Sequence, residues 1–209
     1  MNSVTASLHE IPGTEREYVA FSGANVSTPY LSDCEQKYRR KLFASVDDVL
    51  AHCDLHDGMT VSFHHAFREG DKVINYVMDK LAQRGVKGIT LASSSLMTCN
   101  TPLIEHIRNG VITRIYTSGM RGELADAISH GLMDEPVQIH SHGGRVNLIE
   151  KGEIAIDVAF LAVSCCDEYG NASGSGGKSL CGSLGYAMVD AKYAKKVVLL
   201  TESLQPFPY

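Results

Sequence analysis

Short apolar runs alternate with amphipathic helical segments along most of this chain, and that alternation limits the fold more than any other feature of the sequence. Apolar strands are expected at 59–63, 89–92, 112–116, 137–140, 157–163 and 197–200. Between the first two, residues 71–84 place Val73, Ile74, Val77, Met78 and Leu81 on one helical face before Gly85 stops the helix. Thr101-Pro102 opens a short helix that Gly110 closes. Residues 121–130 carry Leu124, Ala127 and Ile128 and end at Gly131, while 146–151 read as a short helix or turn. Upstream, Ser45 followed by Asp47 and Asp48 reads as a capped helix start, and Asp57-Gly58 turns the chain into its first strand. Parallel strands need crossover connections, and helices serve as those crossovers. The alternation therefore predicts an α/β fold: a mainly parallel sheet with helices on both faces.

The 209 residues suit one such α/β domain, expected over 45–209, preceded by an N-terminal arm over 1–44. The arm mixes Ser, Thr, Gly and Pro with a charged run from Glu35 to Lys41 and shows little periodicity. Apolar residues at 44% and charged residues at 21% exclude a collagen-like or low-complexity chain. A net charge of −5 argues against nucleic acid as a partner, because phosphate neutralisation needs a basic stripe. No apolar run approaches the roughly 20 residues that span a bilayer, so no membrane partner is expected. Residues 1–13 lack the charged-then-apolar order of an export signal. The six cysteines, none in C-x-x-C, therefore read as reduced thiols of a cytoplasmic protein.

All six apolar runs lead into small or polar residues: His64-His65, Ser93-Ser94-Ser95, Thr117-Ser118-Gly119, Ser141-His142-Gly143, Ser164 to Asp167, and Thr201-Glu202-Ser203. Ligands of open parallel sheets bind beyond the carboxyl ends of the strands, so this edge is the expected binding wall. The plainer alternative is that strands simply give way to polar loops. The densest glycine segment runs from Gly170 to Ser179. It lacks the glycine a Walker loop requires at 172 and does not fit the dinucleotide spacing. It reads either as a loop whose open backbone N–H groups and Lys178 hold a phosphate or oxyanion, or as an ordinary mobile surface loop.

His64 and His65 alternate at a strand end, so one ring is expected to face the crevice and the other away from it. His140 and His142 have the i, i+2 spacing that puts both rings on one face of a strand. Adjacent Cys165 and Cys166 chelate poorly, and no metal site is expected. Those two cysteines continue an apolar strand and read as buried, inert thiols. No serine lies in G-x-S-x-G. Arg68, Arg121, Arg145 and Lys178 all lie in loops or first turns, where any of them suits an anionic substrate or simply a solvated surface.

The runs DGMTVSFHHAFREGD (57–71), GITLASSS (88–95) and CCDEYGNASG (165–174) resemble the citrate lyase alpha subunit family, and the likeness extends through nearly the whole chain. Asp167-x-x-Gly170-Asn171 is also similar to a motif of the wider family I CoA-transferases. The resemblance implies a CoA-transferase-like fold, akin to that of sugar-phosphate isomerases. It also implies an acyl transferase that exchanges acetyl for citrate on an acyl-carrier-protein or CoA thioester, giving citryl-thioester and acetate. The implied partners are a beta subunit and a gamma subunit, the acyl carrier, in a homo-oligomeric assembly. CoA or a phosphopantetheine-type group is then the thioester substrate, with no covalently bound cofactor. Family subunits are about twice this long or more, with two related halves, so this chain is expected to be the first half only. The glutamate that carries the acyl intermediate in that family belongs to the second half, so the catalytic nucleophile is expected outside this chain. The residues expected to line the substrate wall are His64, His65, Ser93, Ser94, Gly119, Asn171, Gly174, Gly176, Gly177 and Lys178. Two other readings stay open. One is a sugar-phosphate isomerase or sensor of similar fold, with Asp167 and Glu168 as acids. The other is a non-catalytic half-subunit that only binds partners.

Overall fold

The computed structural model describes residues 41–64, 70–182 and 187–207. Of the expected arm, only 41–44 fall among them, and His65 and Arg68 lie outside. The sheet is built from β1 (Thr60–His64), β2 (Ile89–Ser93), β3 (Ile112–Thr117), β4 (Gln138–Ile139), β5 (Val158–Ala162) and β8 (Lys196–Leu200). Its order is β4-β3-β2-β1-β5-β8, and every neighbouring pair is parallel. All six expected strands are present.

A second, three-stranded sheet was not visible in the sequence. It consists of β6 (Cys165–Asp167), β7 (Ala172–Ser173) and β9 (Leu204–Gln205), in the order β7-β6-β9. Strands of two or three residues are too short to carry a period, and β6 merges in sequence with the apolar run of β5.

Helices α1 (Val46–Leu50), α2 (Val73–Gln83), α3 (Leu103–Arg108) and α4 (Gly122–Ser129) supply one side of the sheet. Ser45 caps α1 by accepting a hydrogen bond from the Asp48 amide at 3.1 Å. Ile74, Val77, Met78 and Leu81 of α2 are buried in one cluster with Val61, Phe63, Leu91, Ile115, Leu103 and Leu124. Phe63 stacks on Phe160 with ring centroids 5.2 Å apart. Full burial of a side chain of this size is worth about 1.5–3 kcal/mol, so this cluster dominates the stability of the fold.

The opposite face carries α5 (His142–Glu150) and α6 (Ala187–Tyr193) over a smaller cluster of Ala92, Ala159, Leu161, Ile149, Ile154, Ile156 and Ala187. The sequence reading placed only 146–151 in a helix or turn here. The helix starts at His142 because Ser141 caps it, accepting from the Gly144 amide at 3.1 Å. Gly143 and Gly144 hide that start from a propensity argument.

Candidate functional site

The chain moves outward from β1 through β2, β3 and β4, then returns to lay β5 on the other side of β1. The carboxyl ends of β1 and β5 therefore flank the topological switch point, where an open α/β sheet leaves a crevice. His64, the last residue of β1, is buried there, opposite Leu161 in the β1–β5 register.

Toward β3 the wall is backbone-laced. The Ser94 amide donates to the Phe63 carbonyl at 3.2 Å, and the Ser118 amide donates to the Ser94 carbonyl at 3.0 Å. Gly119 accepts from the Leu96 amide at 3.0 Å. His64, Ser93, Ser94 and Gly119 thus share one stretch of the strand-end edge. The Ser93 hydroxyl is buried and donates to the Ser95 carbonyl at 3.0 Å, so it shapes the turn. The Ser118 hydroxyl is buried without a hydrogen-bond partner among the described residues. Residues 94–101 are pinned from behind: Asn100 accepts from the Met97 amide at 2.8 Å and donates to Asn75 Oδ1 at 3.0 Å.

Past the carboxyl end of β5 the chain enters the small sheet. Asp167 is buried and accepts from the amides of Tyr169 and Asn171 and from Asn171 Nδ2, at 2.9, 3.0 and 2.7 Å. The motif Asp167-x-x-Gly170-Asn171 is therefore the lock of the β6–β7 turn, to which Asn171 gives its backbone N–H and one Nδ2 hydrogen. Two glycines of the segment, Gly174 and Gly177, are tightly packed. The Gly177 amide donates to Ser164 Oγ at 3.0 Å, and a Cβ at Gly177 would lie 1.7 Å from the Ser164 carbonyl oxygen. A Cβ at Gly174 would lie 1.6 Å from the Gly182 carbonyl oxygen. Glycine is required at both positions by close approach of backbone. Gly176 and Lys178 are exposed on this segment. Cys165 and Cys166 are buried, as expected; burial, with Asp167 and Cys165 adding to it, pushes the Cys166 thiol above its ordinary value.

Among the four cations singled out in the sequence, Arg145 is removed from ligand duty. It is buried, and its Nη2 lies 2.9 Å from Asp190 Oδ2 and 2.9 Å from Ser62 Oγ. Arg121 and Lys178 are exposed. His140 lies just past β4 while His142 belongs to the first turn of α5, so the two do not share a strand face. Among the described residues no group of three His, Cys, Asp or Glu side chains converges on a metal position. Asp190, the partner of Arg145, escaped the sequence reading. An acid within an otherwise apolar helical segment, Ala187 to Ala191, was the available signal.

The sequence model of the family described as citrate lyase, alpha subunit (CitF), matches residues 39–209. The chain belongs to the citrate lyase alpha subunit family. It is 58% identical over 188 residues to the citrate lyase alpha chain of Klebsiella pneumoniae, covering 90% of this chain and 37% of that one. Against the Escherichia coli K12 citrate lyase alpha chain the identity is 62% over 175 residues, covering 84% and 34%. A crystal structure described as the alpha subunit of citrate lyase in complex with citrate, from Streptococcus mutans, superposes with a TM-score of 0.77 at 52% identity, covering 81% of this chain and 33% of that one. The alpha subunit of a malonate decarboxylase from Acinetobacter baumannii shares the fold alone, with a TM-score of 0.55 at 14% identity. The chain thus spans about a third of the length of the citrate lyase relatives it matches, less than the half that was expected. Its fold is the CoA-transferase-like α/β architecture of these neighbours.

Proposed function

We propose that this chain supplies an α/β unit of a citrate:acetyl-thioester transferase, the activity that gives citryl-thioester and acetate. The observation that carries this reading is the 52% identity and 0.77 TM-score to a structure described as holding citrate. In this mechanism an enzyme carboxylate attacks the acetyl thioester carbonyl and the thiolate leaves. That thiolate attacks the enzyme acyl carbon of the anhydride, releasing acetate and leaving an enzyme thioester. A citrate carboxylate displaces the thiolate from it, and the thiolate takes the citryl group from the resulting anhydride, freeing the enzyme carboxylate. The attacking enzyme carboxylate comes from polypeptide outside this chain. The residues here provide the wall: His64 and the backbone of Ser94 and Gly119 on the β1–β3 side, and the glycine segment beyond β5. Arg121 and Lys178 are the cations proposed to meet the carboxylates of citrate or the phosphates of CoA. CoA or the phosphopantetheine-type group of an acyl carrier is the thioester substrate. Beta and gamma subunits are the partners, within a cytoplasmic homo-oligomeric complex.

A second reading has one observation in its favour. An apolar groove of about 840 Å³ runs along the flank of β8, lined by Phe43, Val163, Val197, Leu199, Leu204 and Met188. That surface suits a chain whose isolated form binds other polypeptide and catalyses nothing. The deciding assay supplies acetyl-CoA and citrate and measures citryl-CoA, with this chain alone and with this chain joined to the further residues of its relatives. Activity only in the longer polypeptide is the expected result. Activity in the 209 residues alone makes Glu168 the first carboxylate to replace. Inactivity of the longer polypeptide overturns the transferase reading.

A further inference from the structure

Helices α5 and α6 are seated in an unusual way. Of the residues of α5, the buried ones are Arg145 and Ile149; of α6, Ala187 and Asp190. Each helix thus contributes one apolar anchor and one member of an ion pair. On the other face, α2 alone buries Ile74, Val77, Met78 and Leu81. The pair is closed by β1. Arg145 Nη2 donates to Asp190 Oδ1 and Oδ2 at 3.2 and 2.9 Å, to Ser62 Oγ at 2.9 Å and to the Ala92 carbonyl at 3.3 Å, and Ser62 donates to Asp190 Oδ2. All three side chains are at most 3% exposed. Ser62 and His64 are two residues apart on one strand and so share a sheet face, which puts the cluster one step beneath the crevice edge.

A pair this deep adds little net stability, since desolvation offsets attraction, and Arg145 Nε is buried without a hydrogen-bond partner among the described residues. What such a pair does supply is a single permitted geometry. Leu or Met side chains tolerate sliding of one helix over another, whereas a guanidinium held by a carboxylate, a hydroxyl and a carbonyl does not.

We propose that Arg145, Asp190 and Ser62 are positioning residues of the crevice: they fix the first turn of α5, His142 to Arg145, and the body of α6 relative to the β1 end at His64. The role is argued for the transferase site proposed above and rests on that reading for its catalytic consequence, though not for its structural one.

The test uses Arg145→Met/Asp190→Leu, which replaces the pair by apolar groups of similar size, in the transferase-competent polypeptide. The melting temperature is expected to stay within about 5 °C of the parent. Amide hydrogen exchange over 142–145 is expected to rise tenfold or more, with exchange in α2 unchanged, roughly the signature of a local opening. The kcat for citryl-CoA formation is expected to fall at least about tenfold with a smaller change in the citrate KM, as for lost orientation at the reacting centre. Parental exchange and parental kcat in a folded double variant overturn the proposal. If the double variant does not fold, Ser62→Ala, which leaves the ion pair matched, is expected to show the same local rise in exchange, and its absence overturns the proposal. A parent polypeptide that transfers no acetyl group defeats the functional reading alone, because the exchange measurement still decides the positioning role.

Discussion

Gly177 passes so close to the end of β5 that its α-hydrogen occupies the only room available, and the local chemistry of the chain follows from such contacts. Gly177→Ala forces a Cβ into the Ser164 carbonyl and is expected to cost about 3 kcal/mol or more, read as a lower denaturant midpoint at unchanged slope. Gly143→Ala, exposed and with nothing within 4 Å of an added Cβ, is the comparison expected to show no such loss. At the amino end of the sheet Asp157 accepts from the Thr60 amide and from Lys195 Nζ, each at 2.7 Å. Burial alone raises its carboxyl, but the Lys195 ammonium and the Thr60 N–H outweigh burial and hold it below the usual carboxylate range. A carboxyl lowered on folding stabilises the native state above its unfolded value, and that share is lost as pH falls through the lower folded value. Asp157→Ala is therefore expected to destabilise the fold by about 1–3 kcal/mol at pH 7. The gap to the parent narrows as the pH of equilibrium unfolding falls below the ordinary carboxylate range. At this scale the sequence was a partial guide. Cys165 and Cys166 read correctly as buried because their surroundings are apolar. The hydrogen bonds from Asn171 to Asp167 were not readable from the motif, which names residue types and not their partners.

Elements were more legible than residues wherever the period had room to repeat. The face of α2 was readable because five apolar side chains recur over three turns, and the longer sheet strands because each is a run of bulky residues between turn signals; β4 is only Gln138–Ile139. Two-residue β7 and β9 offer no period, and the first turn of α5 carries two glycines, with Ser141 capping it. The start of α1 was visible as a cap, and Ser45→Ala is expected to lower stability by about 1 kcal/mol, measured by urea unfolding. The segment after β2 depends on a different device. Asn100→Ala removes the acceptor of the Met97 amide and the donor to Asn75, both in nearly waterless surroundings. A loss of about 2 kcal/mol is expected, with raised hydrogen exchange confined to 96–101.

The strand-end edge exists only in an assembled sheet, and ligand linkage is the measurement that reports on that assembly. A ligand of the crevice present at 100 times its dissociation constant is expected to stabilise the fold by about 2.7 kcal/mol. Citrate and CoA are the ligands expected to do so in thermal-shift measurements, and ribose 5-phosphate is not. Fold class was legible at this scale, because alternation is a property of the chain as a whole. The order of the strands was not, since nothing local states that β5 returns to β1. That return has a kinetic consequence. Thr60 and Asp157, which join the two strands, are 97 positions apart, whereas β1 and β2 meet after a single helical crossover. Closing the larger loop costs more entropy and rewards the chain later, so the two lips of the crevice meet among the last events of folding. During refolding, the capacity to bind ligand should accordingly emerge with the slowest phase, after most helical signal has returned.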